Sequence, residues 1–284
     1  MKTIFPTLAL LLLVFTAAAQ NTNITKQTDP IVAEGKRLYK SEMASWYGTD
    51  IFLEKFKAHE KIGGYISYSE NNISKCVFFS TGDIPKAIGT ILFDSTYNVN
   101  TATADLTERE LTVTENELRI IRTAALKLIN TDTLFKTYTN SSLNLIPMIS
   151  EGEKKVYVLS GPKVNGVVIF GNDYLITFNN DNSISSQKQL HKNIIAINYG
   201  KADNGEEIIG AVHTHLPETG EFITATDICT LMLYEKFAGW KQHTVISQNY
   251  FSFWNCITND LVVITKEAMD KIDKDQEKRK KNKN

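Results

Sequence analysis

Three rhythms of apolar and polar residues run along the chain, and each predicts a different kind of element. Near the start, Val32, Gly35, Tyr39, Met43 and Trp46 recur at helical spacing and give one face to bury. Asp29-Pro30 reads as the start of that helix, after a polar leader over residues 21–29. Gly48 reads as its end, with Thr49-Asp50 capping a second short helix through Phe56. From Gly63-Gly64 the rhythm becomes that of strands. Residues 65–69 and 75–80 flank Glu70-Asn71-Asn72 as a hairpin, and 88–93 and 99–104 read as two further strands. Thr114-x-x-Glu117 reads as a capping box, continued by Leu118, Ile121, Ala125 and Leu128 as a helix.

Residues 141–147 are the best internal boundary. Beyond them strand follows strand, over 156–159, 166–170, 174–178, 194–199 and 208–215, broken by turn residues such as Gly171-Asn172-Asp173. A helix apolar nearly all round follows Asp227, a pattern that predicts sandwiching between layers. Gly239 ends it, and 244–246, 250–257 and 261–265 read as closing strands. The whole is an α+β arrangement, a mixed but mainly antiparallel sheet packed with helices. It divides into an N-terminal region, residues 20–145, and a C-terminal region, 146–268, joined as one continuous fold. From Lys266 the chain turns charged and reads as a frayed helix trailing into a disordered basic tail over 269–284.

The first residues change the picture of where the protein works. Met1-Lys2, an apolar run over 8–15 and Ala17-Ala18-Ala19 before Gln20 have the form of a signal peptide over residues 1–19. The expectation is an exported protein, periplasmic or secreted, without stable membrane insertion after cleavage. A formal net charge of -1 shows no basic bias, which argues against nucleic acid as a partner and leaves a peptide or small-molecule ligand. Cys76, Cys229 and Cys256 are too few to staple a secreted chain, although Cys229 and Cys256 are candidates to pair.

Candidate chemistry collects at the predicted strand 208–215. Side chains alternate along a strand, so His213 and His215 project from one face and can share a divalent ion. Asp227 opens the next helix and supplies a third ligand if it folds back beside them, leaving a fourth position for water. Thr224-x-x-Asp227 is equally a capping box that does nothing but start a helix. His59 and His243 read as ordinary surface or edge residues, and His191 as a hydrogen-bonded residue that is also within reach of the cluster.

The same stretch resembles the JAB/MPN (JAMM) metalloprotease motif, H-x-H-P-x6-S-x-x-D. Here it runs His213-Thr214-His215, then Leu216, then Pro217, six residues, Thr224, two residues and Asp227. Leu216 is an added residue, and Thr224 stands where that family has Ser. The resemblance implies zinc on His213, His215 and Asp227, a JAB/MPN-like fold in the C-terminal half, and a glutamate acting as general base. Glu151 and Glu153 are the candidates for that base, with Thr224 helping to hold an oxyanion. It implies a zinc-dependent hydrolase or peptidase. The competing reading is a non-catalytic periplasmic binding or interaction protein that keeps the fold without metal. A third, with Ser160 or Cys229 as nucleophile, lacks a surrounding motif such as G-x-S-x-G.

Overall fold

The computed structural model describes the backbone over residues 5–281 and the side chains over 23–279 and 281. It has an α+β fold. Helix α1 (Phe5–Lys55) leads into an antiparallel meander of β1 (Ile62–Glu70), β2 (Ile73–Ser80), β3 (Ala87–Phe93) and β4 (Thr103–Asp105). Helix α2 (Val113–Ile129) follows. A second sheet, ordered β5-β6-β8-β9, holds β5 (Ser141–Ser150), β6 (Glu153–Pro162), β8 (Tyr174–Phe178) and β9 (Ile184–Gln189). Strand β7 (Val167–Gly171) leaves that sheet and pairs antiparallel with β10 (Ile194–Asn198).

The last sheet is built from β11 (Gly210–Thr214), β12 (Gln242–Ile246), β13 (Tyr250–Asn255) and β14 (Asp260–Thr265), with α3 (Ala225–Ala238) crossing from β11 to β12. That crossover makes β11 and β12 parallel; the other pairings are antiparallel. Helix α4 (Lys266–Lys281) closes the described chain.

Burial explains the layers. Leu118, Ile121 and Ala125 of α2 pack on Ile66 and Val77 of the first sheet and on Val156, Val158 and Ile176 of the second, in one shared cluster. Their opposite faces pack against helices: Phe78 and Ile91 with Ala44 and Phe52 of α1, and Ile146 and Leu159 with Leu38 of α1 and Leu233 of α3. Helix α3 also buries Ile228 and Leu231 against Phe170, Val245 and Trp254 of the last layer. It is therefore sandwiched, as its all-round apolarity predicts. Each large apolar side chain so buried contributes roughly 1.5–3 kcal/mol.

Several expectations are corrected. Helix α1 neither starts at Pro30 nor ends at Gly48; both lie inside it, and the expected polar leader is part of the same helix. Gly48 is there for closeness, since a Cβ at that position would stand 2.6 Å from Cys76 Cβ. The cap of α2 is Thr112 with Glu115, not Thr114 with Glu117. Strand β9 is a polar edge strand that the hydrophobic pattern does not reveal. The charged C-terminal stretch is helical through Lys281, where a disordered tail was expected from residue 269. Cys229 and Cys256 are buried and free, not paired. In the expected signal segment, residues 1–4 lie outside the described residues, as do the side chains of the rest of it. Among the described residues no helix is long and apolar enough to cross a membrane.

Candidate metal centre

The β11–α3–β12 crossover assembles the centre. A parallel strand–helix–strand unit brings the C-terminal end of one strand beside the N-terminus of the next helix. Strand β11 ends at Thr214, so His213 and His215 stand at that end, and Asp227 sits in the first turn of α3. The α3 N-terminus is held by a capping box. Asp227 N–H donates to Thr224 Oγ1 at 3.1 Å, and Thr224 N–H donates to Asp227 Oδ2 at 2.9 Å. The Thr224 hydroxyl also donates to Asp227 Oδ2 at 2.7 Å. The cap and the metal reading are thus not alternatives: the cap aims the carboxylate.

Asp227 Oδ2 lies 3.1 Å from His215 Nε2, and Oδ1 lies 3.6 Å from His213 Nε2. The added Leu216 does not turn Asp227 away; residues 216–223 form an open loop that absorbs it. A further imidazole joins them. His191, on the loop between β9 and β10, places Nε2 3.2 Å from His215 Nε2 and 3.7 Å from Asp227 Oδ2. His215 Nε2 is the hub, since His213 Nε2 is also 3.2 Å from it.

His191, His215 and Asp227 form a buried group able to hold a metal ion, with ligand atoms all within 4.8 Å of one another. Zinc bonded at about 2.0–2.1 Å sets tetrahedral ligand atoms about 3.3–3.4 Å apart, close to the spacings here. The hydrogen-bond inventory points the same way. An imidazole nitrogen carries at most one hydrogen, so His215 Nε2 cannot bond His191, His213 and Asp227 together. One cation among these donors relieves the conflict.

Outer partners orient the donors, as such shells do around protein-bound metals. His191 is clamped by Asp173 Oδ1, 2.7 Å from its Nδ1 and 3.0 Å from its backbone N–H. Asp173 is held by a tight turn in which Gly171 has φ +73, and a Cβ there would stand 2.2 Å from Asn193 O. His213 Nδ1 meets His243 Nε2 at 2.8 Å. His243, expected at a surface edge, is fully buried against the rings of Phe170 and Trp240, because β12 pairs inside the sheet.

Burial and charge set the protonation of the cluster. Burial pushes the His213 imidazole down to about 4 and that of His243 to about 3. Burial opposes charge on His191 too, but Asp227 and Asp173 outweigh it and raise this group to about 9. Burial would lift the Asp227 carboxyl; the nearby His191 charge, with His213 and His215, holds it well below the usual range.

The two glutamates are not brought to the cluster. Glu153 is exposed and pairs with Lys155 at 2.5 Å, which depresses its carboxyl. Glu151 is an exposed turn residue at φ 54. It does line a cavity of about 1000 Å³, shared with Glu34 and Arg37 of α1 and with Thr224 and Thr226 beside Asp227. Ser160 is spent on structure, its hydroxyl donating to Asn172 O at 2.9 Å and accepting from Asn172 Nδ2. Cys229 is fully buried, and burial drives its thiol far from the ionised form. Among known proteins, no family model, no curated protein and no solved structure matches the chain.

Proposed function

We propose that this is an exported, zinc-dependent hydrolase similar to the JAB/MPN peptidases, acting on peptides outside the cytoplasm. The single observation that carries the reading is the convergence of His213, His215 and Asp227, with His191 added, on one buried point. Export rests on the signal-peptide form of residues 1–19. Zinc bound there would polarise a carbonyl and lower the pKa of water. The chain's own part is to fix the donors. Thr224 aims Asp227, Asp173 aims His191, and His243 fixes the ring of His213. Neither Glu151 nor Glu153 has a contact that supports the role of base.

A second reading is favoured by the number of protein donors. Three imidazoles and a carboxylate can fill a tetrahedral site and leave no open position, which is the habit of structural zinc. The protein would then be a binding or interaction module stabilised by its ion. His191 decides between the two, because it alone comes from outside the β11–α3 unit. The test is elemental analysis of the purified mature protein, together with hydrolysis of a fluorogenic peptide pool. The hydrolase reading expects one zinc per chain and turnover, both lost in His215→Ala, with turnover kept in zinc-loaded His191→Ala. Zinc without turnover in either wild type or His191→Ala selects the structural reading. Protein that takes up no zinc overturns both.

A further inference from the structure

A second large cavity lies where two sheets fail to join. The orders β1-β2-β3-β4 and β5-β6-β8-β9 leave β1 and β5 as edge strands. The two strands carry α2 on one face and helices on the other, α1 against β1 and both α1 and α3 against β5. They therefore lie in one layer. They touch at one end, where Tyr65 OH donates to Asn144 Oδ1 at 3.4 Å. Both run on from that contact to the walls of one cavity. Residues 67–70 of β1 and 147–150 of β5 both line a cavity of about 840 Å³.

The walls of the slot carry main-chain demand. Ser41 Oγ of α1 donates to Ser67 O at 3.1 Å, so that carbonyl is turned to the free side of β1. Alternation along an antiparallel strand puts the N–H and C=O of Ser69 on the same side. Across the slot, Pro147 sits in an edge strand, where proline is tolerated with its nitrogen facing outward. The N–H and C=O of Ile149 then face outward too. Two open edges with a gap between them are a template for a strand.

We propose that this slot binds an extended peptide segment, added as a strand between β1 and β5 so that two sheets become one. The occupant's chemistry follows from the two faces. Toward α2 the slot presents Tyr68 and Leu118; toward α1 it presents Ser41, Ser67, Lys36 and Lys40. Two carboxylates also line it, but Glu70 is paired with Lys75 and Asp94 accepts from Thr96. Lys36 and Lys40 lie one helical turn apart, and among the described residues their ammonium groups make no ion pair or hydrogen bond. Side chains of a guest strand alternate between faces, so apolar residues should alternate with acidic ones. Four facing residues at about 3.3 Å each give room for about four guest residues in register. None of the metal-centre residues lines this slot, so the proposal stands whatever the ion does.

The probe is acetyl-Glu-Val-Glu-Val-Glu-Val-amide added to the full chain, read by hydrogen–deuterium exchange and by fluorescence anisotropy of a labelled copy. The expected result is exchange at Ser69 and Ile149 slowed at least tenfold. A Lys-for-Glu peptide should bind at least tenfold more weakly. An otherwise identical peptide with its central amide replaced by an ester should lose about fivefold, the effect of one main-chain hydrogen bond. The ester changes only the ligand, so a folding defect cannot imitate its effect. No protection at millimolar peptide, equal binding of the ester, or protection by a glucose hexasaccharide instead would each overturn the proposal.

Discussion

The two capped helices α2 and α3 begin with the same device and end with opposite chemistry. Each N-cap is a threonine, Thr112 or Thr224, whose hydroxyl accepts the N–H of an acidic residue three positions on. That residue, Glu115 or Asp227, bonds back to the threonine N–H, at 2.8 Å and 2.9 Å. Both carboxylates are buried. What differs is the group that faces them. Glu115 meets Arg109 in a two-pronged pair at 2.7 and 2.8 Å, with the Tyr68 hydroxyl beside it. Arg109 is a permanent cation, so the charge of Glu115 is already balanced. Asp227 meets imidazoles, which can give up protons to an ion and then ligate it. The capping motif is thus neutral as to function, and the tertiary partner decides.

The contrast can be broken most strongly at the acidic residues themselves. Asp227→Ala should remove bound metal, taking stoichiometry from one per chain to near zero by elemental analysis. Glu115→Gln should leave metal content unchanged and cost about 2–4 kcal/mol in urea unfolding, since it strands part of the Arg109 charge. Next in size is the outer partner. Asp173→Asn should weaken zinc affinity 10–100-fold in a competition titration, the usual effect of losing a carboxylate behind a metal-bound imidazole. Arg109→Gln should not change that affinity.

Smaller again is the cap. Thr112→Val and Thr224→Val should each cost about 0.5–2 kcal/mol of stability. Only Thr224→Val should also lower zinc affinity, because Thr224 Oγ1 steadies Asp227 Oδ2 at 2.7 Å. The mildest test is acid. Burial would raise the Glu115 carboxyl, but the Arg109 pair and the Thr112 cap hold it below the usual glutamate range. A depressed carboxyl adds stability above its unfolded pKa and loses it as pH falls through the folded one. The stability gap between wild type and Glu115→Gln should therefore be full above pH about 4.5 and close as the pH is lowered below that. Urea midpoints measured from pH 6 down to acid give the curve.

The sequence carried the local part of this comparison and not the tertiary part. The α3 capping signature was legible; that of α2 was placed on Thr114 with Glu117, two residues past the true pair of Thr112 and Glu115. Period-two alternation put His213 and His215 on one face, and the C-terminal strands and the sandwiched α3 followed from apolar runs bounded by turns. His191 carries no motif and sits in a loop; it reaches the centre only because the turn at Asp173 clamps it. His243 became part of the centre through the parallel register of β11 and β12, which no local pattern encodes. Glu151 and Glu153 stood near the expected place in sequence, but Lys155 takes one and solvent the other. Gly48 punctuates a helix in sequence and permits a close helix–strand contact in space.

The proposed ion would sit among His191, His213, His215 and Asp227. Anomalous diffraction at the zinc absorption edge, from crystals of protein loaded with one equivalent of zinc, addresses it directly. The expected result is a single strong peak about 2.0–2.2 Å from His215 Nε2 and an Asp227 carboxylate oxygen. Zinc found only elsewhere, with the four side chains still bonded to one another and no peak between them, would contradict it.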